Sequence, residues 1–443
     1  MNSEVAEHRL DSICLLVVDC PHATPKWTDS GFVVLRNQNI KGGRLDLSSP
    51  SYTDEEHYLG RIKRAVPQAG DIVITREAPM GDVCQIPEGL KCCLGQRQVL
   101  LRPDPKKVDS RFLLYALQSP YIQHQIGWNE GTGSTVSNLR IPVLEALCVP
   151  TPELAVQREV AETLGAIDDR ITLLRETNIT LEAIAQTLFK SWFVDFDPIV
   201  AKMQGRTPDG MDEDTAALFP DSFEESEFGP LPKGWSISLV ANVAEIVKGK
   251  SYSSKDLVDR HTTALVTLKS FERGGGFRMD GFKPYSGSFK PTQVVTPGDL
   301  IVAYTDVTQA AELIGKPAIV VGVGEYDTLV ASLDVGIVRP DFSVCGRQFL
   351  YGLFKTDAFQ SHTLSHTSGT TVLHLSKDGV GSYRFALPSN GLIRVFEEIA
   401  TELAERRQVN IDQVRSLFYL RDTLLPRLIS GQLQIDEVTE ALL

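Results

Sequence analysis

The sequence predicts an α/β (α+β) protein with two pseudo-symmetric globular domains separated by two long antiparallel coiled-coil helices. The first observation behind this prediction is an internal duplication, because Arg111–Tyr115 returns 236 residues later as Arg347–Tyr351. Gly133–Val136 returns as Gly369–Val372 at the same offset. The second observation is a pair of helical segments that are too long for a compact domain. Solenoid repeats are far shorter than this duplicated unit, so the chain resembles a two-fold homodimer written on one polypeptide.

Composition and charge narrow the class of protein. The chain has 443 residues, 42% of them apolar, as in ordinary globular proteins of two or three domains. No stretch is apolar and long enough to span a bilayer, and the first residues lack the apolar core of a signal peptide, so we expect a cytoplasmic protein that contacts no membrane. The net charge of −13 argues against a nucleic-acid binder acting alone. That objection falls if basic residues concentrate on one face or if partner subunits supply phosphate contacts.

Residues 1–150 are predicted to form the first domain. Short β-rich runs, among them Phe32–Leu35 and Asp71–Ile74, are separated by Gly, Pro and Asp. Asp109 then precedes a short amphipathic segment, 111–118, that we expect to be helical.

Residues 151–200 are predicted to form the first long helix. Their apolar residues recur at alternating spacings of three and four, which is the seam of a coiled coil, and Asn178 is a polar position on it of the kind that selects register. A helix of about 40 residues would be about 60 Å long, which suits a spacer. The seam residues are Leu164, Ile167, Ile171, Leu174, Asn178, Leu181, Ala185, Leu188 and Trp192.

Residues 201–234 are rich in Pro, Gly, Asp and Glu and are predicted to be an exposed connector. A second domain, 235–390, and a second long helix, 391–443, follow, and Pro426 should kink or end that helix. Antiparallel pairing of the two helices would place the domains at opposite ends about a pseudo-two-fold axis. The alternative, two unrelated surface helices, makes the shared spacing a coincidence. The apolar seam of the second helix is Ala400, Leu403, Val414, Leu417, Leu424 and Leu428.

Signatures of catalysis and of metal binding are scarce. The chain contains no Pro-Pro and therefore no Asn/Asp-Pro-Pro-aromatic tetrapeptide of amino-methyltransferases. Gly249-Lys250-Ser251 resembles the end of a phosphate-binding loop but lacks its first glycine. The 7 cysteines lack the spacing of a zinc site, and we expect them to be buried free thiols. The sequence therefore predicts no catalytic residue, no metal and no cofactor bound by this chain.

The loops carry hydrogen-bonding and cationic side chains instead. Arg, Lys, Asn and Gln read base edges in the major groove, and Ser, Thr and Lys suit phosphates. Polar loops are also ordinary in soluble domains, so the pattern alone leaves both interpretations open. The candidates are Thr24, Lys26, Arg36, Asn37, Arg76, Gln96, Arg97, Ser134 and Thr135 in the first domain, and Lys248, Lys250, Ser251, Tyr252, Lys269, Tyr304, Thr305, Thr370 and Thr371 in the second.

Several strings along the chain are specific enough to indicate a family. They are Asp19–Trp27, Thr75–Gly81, Cys93–Arg97, Leu188–Pro198, Gly229–Trp235 and Leu420–Gly431. In this order, and over essentially the whole chain, they resemble the DNA specificity subunit of type I restriction-modification systems.

This resemblance implies a non-catalytic subunit that binds double-stranded DNA. Each domain would be a target-recognition domain reading one half of a split site, and the two helices would set the spacing and dock two methyltransferase (modification) subunits. Those subunits would hold S-adenosylmethionine and methylate adenine N6, and motor-nuclease (restriction) subunits would complete the complex. A rigid spacer suits half-sites about one helical turn apart, and an adenine must leave the base stack to be methylated.

The resemblance also ranks the contact residues. Arg97, with Gln96 and Arg76, is expected to contact DNA directly, although Arg97 could instead form an internal ion pair. The second module has no Gln-Arg pair to match, so the two domains should read different sequences. Two other classes stay open at this point: a coiled-coil scaffold or adaptor that binds no DNA, and an enzyme acting alone.

Overall fold

The computed structural model describes residues 5–128, 138–227, 229–308 and 310–435. Its tertiary contacts divide the chain into two compact units, residues 1–173 with 413–443 and residues 174–412. Each unit holds one globular module together with one half of each long helix. The units cut across the predicted domain boundaries because the helix halves belong to the module cores.

The first module follows the β-rich runs of the sequence. Asp109 caps the predicted short helix, since its carboxylate accepts hydrogen bonds of 2.9 Å from the backbone N–H groups of Arg111 and Phe112. The strands are β1 Glu7–Arg9, β2 Cys14–Asp19, β3 Phe32–Leu35, β4 Ile40–Lys41, β5 Arg44–Leu45, β6 Ser51–Thr53, β7 Ile72–Thr75, β8 Val83–Gln85, β9 Cys92–Leu94, β10 Gln98–Pro103 and β11 Cys148–Pro150. The helices are α1 Leu10–Ile13, α2 Glu55–Arg61, α3 Ser110–Gln118, α4 Pro120–Gly127 and α5 Ile141–Glu145, followed by the first long helix, α6 Leu154–Phe193.

Two sheets organise this module. One is four-stranded and antiparallel, with the order β2-β10-β7-β8, and the other has the order β6-β3-β9 with β3 and β9 parallel. Two smaller pairs, β1 with β11 and β4 with β5, complete the described strands of the module. The parallel pair needs a long crossover connection, which the loops and helix between β3 and β9 supply.

The segment predicted to be an exposed connector is folded. Phe219 and Leu231 are buried in the core of the second unit, because these apolar residues find the aromatic cluster there despite the Pro, Gly and acidic residues around them. The elements of this segment are α7 Asp197–Met203, α8 Glu213–Ala217, β12 Phe223–Ser226 and β13 Gly229–Pro232.

The second module repeats much of the element order of the first, with additional strands and fewer α-helices in the part of the chain that the structure describes. Its strands are β14 Ser236–Leu239, β15 Ala244–Lys248, β16 Thr263–Val266, β17 Lys283–Pro284, β18 Val294–Val295, β19 Leu300–Ala303, β20 Thr305–Asp306, β21 Pro317–Ile319, β22 Thr328–Ala331, β23 Val335–Pro340, β24 Thr367–Ser368, β25 Leu373–Leu375 and β26 Arg384–Leu387. Its helices are α9 Val240–Val243, α10 Arg347–Lys355 and α11 Asp357–Ser365, followed by the second long helix, α12 Asn390–Ile429.

Strand pairing confirms the duplication. The four-stranded sheet β15-β23-β19-β21 has the same connectivity as β2-β10-β7-β8. The second sheet, β17-β16-β22-β18, again contains a parallel pair, β16 with β22. Local sequence does not dictate a parallel pair at the same place in two sheets. The two modules therefore share a topology as well as short repeated sequence segments.

Each long helix contributes apolar side chains to both cores. In the first unit, Leu164 and Leu428 belong to the cluster around Phe112. In the second unit, the rings of Phe189 and Phe396 lie with centroids 5.5 Å apart in an aromatic cluster. Burying one such side chain contributes about 1.5–3 kcal/mol, so the helices are structural parts of the modules.

The second long helix continues through Pro426 and ends at Ile429. The proline lies in the last turn, where its missing N–H removes one hydrogen bond at most. Leu424, Leu425 and Leu428 around it are buried in the core of the first unit, which holds the turn in place. The helix therefore does not end at the proline.

Candidate nucleic-acid interface

Glu77 is the centre of the candidate site in the first module. Arg97 is 55% exposed, and its Nε lies 3.1 Å from Oε2 of Glu77. Asn138 donates a hydrogen bond of 2.5 Å to Oε1 of Glu77, and Asn37 donates one of 2.5 Å to the Glu77 carbonyl oxygen. Arg97 therefore has both of the properties weighed from the sequence: it forms an ion pair and it is exposed.

Two further candidates lie beside this centre along the chain. The side-chain amide of Gln96 donates to the carbonyl oxygen of His22 at 2.5 Å and to Oγ1 of Thr24 at 3.3 Å. The loop after β2 is thereby tied to the turn before β10, so residues from five connecting segments meet at this surface.

Lys26 and Arg36 are exposed cations of the same module. Nζ of Lys26 lies 3.3 Å from Asp54, and the Arg36 guanidinium stacks 5.2 Å from the centroid of the exposed Trp27 ring. A hydrogen bond from the His57 backbone N–H lowers the pKa of Asp54 to about 2, so its carboxylate is charged at neutral pH.

Arg76 occupies an interior position. Its side chain is 11% exposed, and one terminal nitrogen lies 2.9 and 3.0 Å from the two carboxylate oxygens of Asp19. It also donates to the Leu139 carbonyl oxygen at 2.9 Å and to Asn138 at 3.2 Å. Because its guanidinium is hydrogen-bonded to these partners within the protein, Arg76 stabilises the arrangement of the loops around Glu77. The other candidates of this module, Ser134 and Thr135, lie outside the described residues.

The candidates of the second module divide into surface and interior residues. Lys248, Ser251 and Lys269 are exposed, and Lys250 is half-buried. Tyr252 is half-buried and packs against the cluster of Leu265, Tyr285 and Val330. Thr370 and Thr371 are exposed and follow β24.

Tyr304 is half-buried with an enclosed hydroxyl, and Thr305 is buried. Burial raises the pKa of Tyr304, and its hydroxyl has no hydrogen-bond partner among the described residues. Thr305 is 7% exposed and begins β20, which pairs with β25. The neighbouring Asp306 accepts backbone hydrogen bonds from Thr308 and Ile314 at 2.6 and 3.0 Å. These side chains shape the loop after β19 and are not available at its surface.

Arg273 was not among the residues selected from the sequence in this module. Its side chain is 76% exposed, and its Nε lies 3.2 Å from Oε2 of Glu312. The Gly274 backbone N–H donates to the Glu312 carbonyl oxygen at 3.2 Å. The one signal in the sequence is a run of three glycines after Arg273, which indicates a tight turn without indicating a contact.

The predicted helix seam is largely buried. Buried positions are Leu164, Ile167, Ile171, Leu174 and Trp192 on the first helix and Ala400, Leu424 and Leu428 on the second. Half-buried positions are Asn178, Leu181, Ala185, Leu188, Leu403, Val414 and Leu417.

Polar contacts cross the seam within each unit. In the second unit, Asn410 donates to Asn178 at 2.8 Å, and Arg407 pairs with Glu182. Residues later in the first helix contact residues earlier in the second, so the helices are antiparallel there, as predicted. In the first unit, Asp168 lies 3.1 Å from Arg421 and accepts a hydrogen bond of 2.8 Å from the Tyr115 hydroxyl.

Other kinds of site are absent from the part of the chain that the structure describes. No group of three or more His, Cys, Asp or Glu residues could hold a metal ion. No described helix is long and apolar enough to cross a membrane. The cysteines are free, and Cys20, Cys84, Cys92, Cys93 and Cys345 are buried.

The chain is similar to DNA specificity proteins. Residues 20–183 match the family described as type I restriction modification DNA specificity domain. The chain is 23% identical over 355 residues to the HindI specificity subunit of a type I restriction enzyme from Haemophilus influenzae, covering 69% of this chain and 73% of that protein. It is 23% identical over 373 residues to the MjaIX specificity subunit from Methanocaldococcus jannaschii, covering 83% and 79%.

A solved structure shares the fold. The crystal structure of a type I restriction-modification S subunit from M. genitalium has a TM-score of 0.55 at 16% identity, with 97% of both chains covered. The duplicated modules thus share the fold of that S subunit, and residues 20–183 match a DNA specificity domain. Over most of its length the chain is therefore similar to specificity subunits of type I restriction-modification systems.

Proposed function

We propose that this chain reads a bipartite, asymmetric DNA site, one half-site with each module. The observation that carries the proposal is that two modules of the same topology present different exposed side chains. Arg97 and Gln96 lie at the surface of the first module, whereas Lys248, Lys269 and Arg273 lie at that of the second. Phosphate contacts fix register and base contacts specify sequence, so different side chains on one scaffold give different half-sites.

The long helices would set the spacing of the half-sites and dock two methyltransferase subunits. Those subunits would hold S-adenosylmethionine and transfer its methyl group to adenine N6, and motor-nuclease subunits would join them for restriction. The net charge of −13 is compatible with this role if partner subunits supply phosphate contacts. The complex would act in the cytoplasm, where the DNA is.

Mapping N6-methyladenine across the genome tests this proposal. Cells with the intact gene should show one methylated motif of two short half-sites separated by an unspecified spacer. Cells without the gene should lose that motif and no other. A motif that persists in the deletion strain would show that this chain does not specify methylation.

A domain exchange tests the division between the modules. Replacing residues 1–150 by the corresponding domain of another specificity subunit should change one half-site and leave the other as it was. Changes in both half-sites would contradict reading by separate modules.

A further inference from the structure

Each module carries an exposed arginine whose Nε is held by a glutamate from the equivalent loop. In the first module, Glu77 lies in the loop between β7 and β8 and pairs with Arg97. In the second, Glu312 lies in the loop between β19 and β21 and pairs with Arg273. The strands are equivalent in the two sheets, although the arginines come from different loops.

A backbone hydrogen bond fixes each arginine a second time. The Arg76 N–H donates to the Arg97 carbonyl oxygen at 2.8 Å, beside Glu77. The Gly274 N–H donates to the Glu312 carbonyl oxygen at 3.2 Å, next to Arg273. Arg97 has a positive φ of 66°, a conformation that non-glycine residues adopt only where the surroundings impose it. Both arginines are thus anchored to the glutamate loop by the main chain and by the side chain.

This anchoring leaves the outer edge of the guanidinium available. The terminal nitrogens of Arg97 and Arg273 make no hydrogen bond to any of the described residues. Two other exposed arginines differ: Nε and Nη2 of Arg9 both bind Asp11, and Nε and Nη2 of Arg278 both bind Asp280. A guanidinium fork that is oriented in advance loses less entropy when it binds a matching pair of acceptors.

We propose that Arg97 and Arg273 each read the O6 and N7 edge of a guanine in the major groove, one guanine in each half-site. This inference rests on the proposed function and adds the group that each module recognises. Guanine is the base that presents two acceptors spaced for an arginine fork. Glu77 and Glu312 are positioning residues in this proposal, because they act on the base only through the arginines that they hold.

Substitution of each arginine by lysine in the full-length chain tests the assignment, with genome-wide N6-methyladenine mapping as the readout. Lysine keeps the charge and loses the fork. Arg97→Lys should relax the preference for one G·C pair in one half-site by about 5- to 150-fold, and Arg273→Lys should do the same in the other half-site. Arg97→Ala and Arg273→Ala should relax the same positions.

The positioning role has its own readout. Glu77→Gln and Glu312→Gln should relax the same positions as their arginines, by a smaller factor, and leave all other positions of the motif unchanged. Arg9→Lys and Arg278→Lys are the controls, because these arginines are also exposed, at 55% and 50%, but already engaged, and neither should alter the motif.

Three results would overturn the inference while leaving the proposed function intact. The motif could lack a G·C pair in a half-site, the lysine variants could leave the guanine preference unchanged, or methylation could fall equally at every site, as expected for phosphate contacts. A deletion strain that keeps every methylated motif would instead contradict the proposed function.

Discussion

At the scale of single residues, burial decides the chemistry of the thiols. Burial raises the pKa of Cys84 and of Cys92 from the ordinary value of 9.0 to about 12. The stability that these protonated thiols contribute is fully present below about pH 9 and is lost as the pH rises towards about 12. At pH 8 roughly one such thiol in ten thousand is the reactive thiolate.

We therefore expect Cys84 and Cys92 to resist iodoacetamide at pH 8 in the native chain and to react in urea. Cys148 is half-buried in β11 and serves as the internal control, since it should react in the native protein. Peptide mass mapping after a timed reaction measures each site. Equal labelling of Cys84 in native and unfolded protein would contradict this account.

The candidate site shows what sequence can predict about single residues. Strings around Gln96 and Arg97 indicated a polar surface, and the structure places both residues there with Asn37. The same reasoning selected Arg76, whose partner Asp19 is distant in sequence and therefore invisible to local patterns. Arg273 was not selected, because its partner Glu312 is also distant in sequence and comes near only through the fold.

At the scale of elements, the seam was the most predictable feature. Apolar spacing predicted a long helix within residues 151–200, and the observed helix is Leu154–Phe193. Close packing against the modules was not predictable. Gly352 lies so close to the Phe189 ring that a Cβ atom would be 2.4 Å from a ring carbon. From the sequence alone, this glycine is indistinguishable from any other helix position, because the neighbouring ring comes from a distant segment.

The asparagine pair of the second unit should be energetically coupled. Asn410 is 0% exposed and Asn178 is half-buried. Asn178→Leu should therefore destabilise the chain by about 1–3 kcal/mol, because it leaves the buried Asn410 amide without that partner. Asn410→Leu should cost less, since Asn178 still donates to the Arg407 carbonyl oxygen at 3.3 Å. Thermal unfolding of the full chain measures both.

The double variant distinguishes a coupled pair from two separate polar residues. Replacing both Asn178 and Asn410 by leucine removes both polar groups from the seam, so the stability should return to near or above that of the wild type. Costs that simply add in the double variant would contradict the coupling.

At the scale of the whole molecule, duplication would allow one chain to read two different half-sites, as proposed above. A two-fold homodimer carries identical surfaces, whereas two modules on one chain can diverge while keeping their topology. The overall duplication followed from sequence strings alone. The exact units did not, because the first unit joins residues 1–173 to 413–443, and no local pattern links segments so far apart.

Whether the length of the long helices sets the spacer length can be tested only in a variant that preserves the contacts between them. Within the second unit Asn178 contacts Asn410, and within the first Asp168 contacts Arg421. Four residues inserted after Glu176 alone would move one of these contacts out of register. A second insertion of four residues after Asp412 lengthens the other helix to match, and four residues are a little over one turn, so the seams stay nearly in phase.

We expect the doubly extended chain to recognise a longer spacer. Four residues add about 6 Å of helix, which corresponds to one or two base pairs of about 3.4 Å each. Methylome mapping should therefore show both half-site sequences unchanged and the spacer between them longer by one or two base pairs. The chain extended only after Glu176 is the matched control, and it should lose methylation or stability because its helices no longer pair. A doubly extended chain that still methylates at the original spacing would show that the helices do not measure the site, since the only change made was to their length.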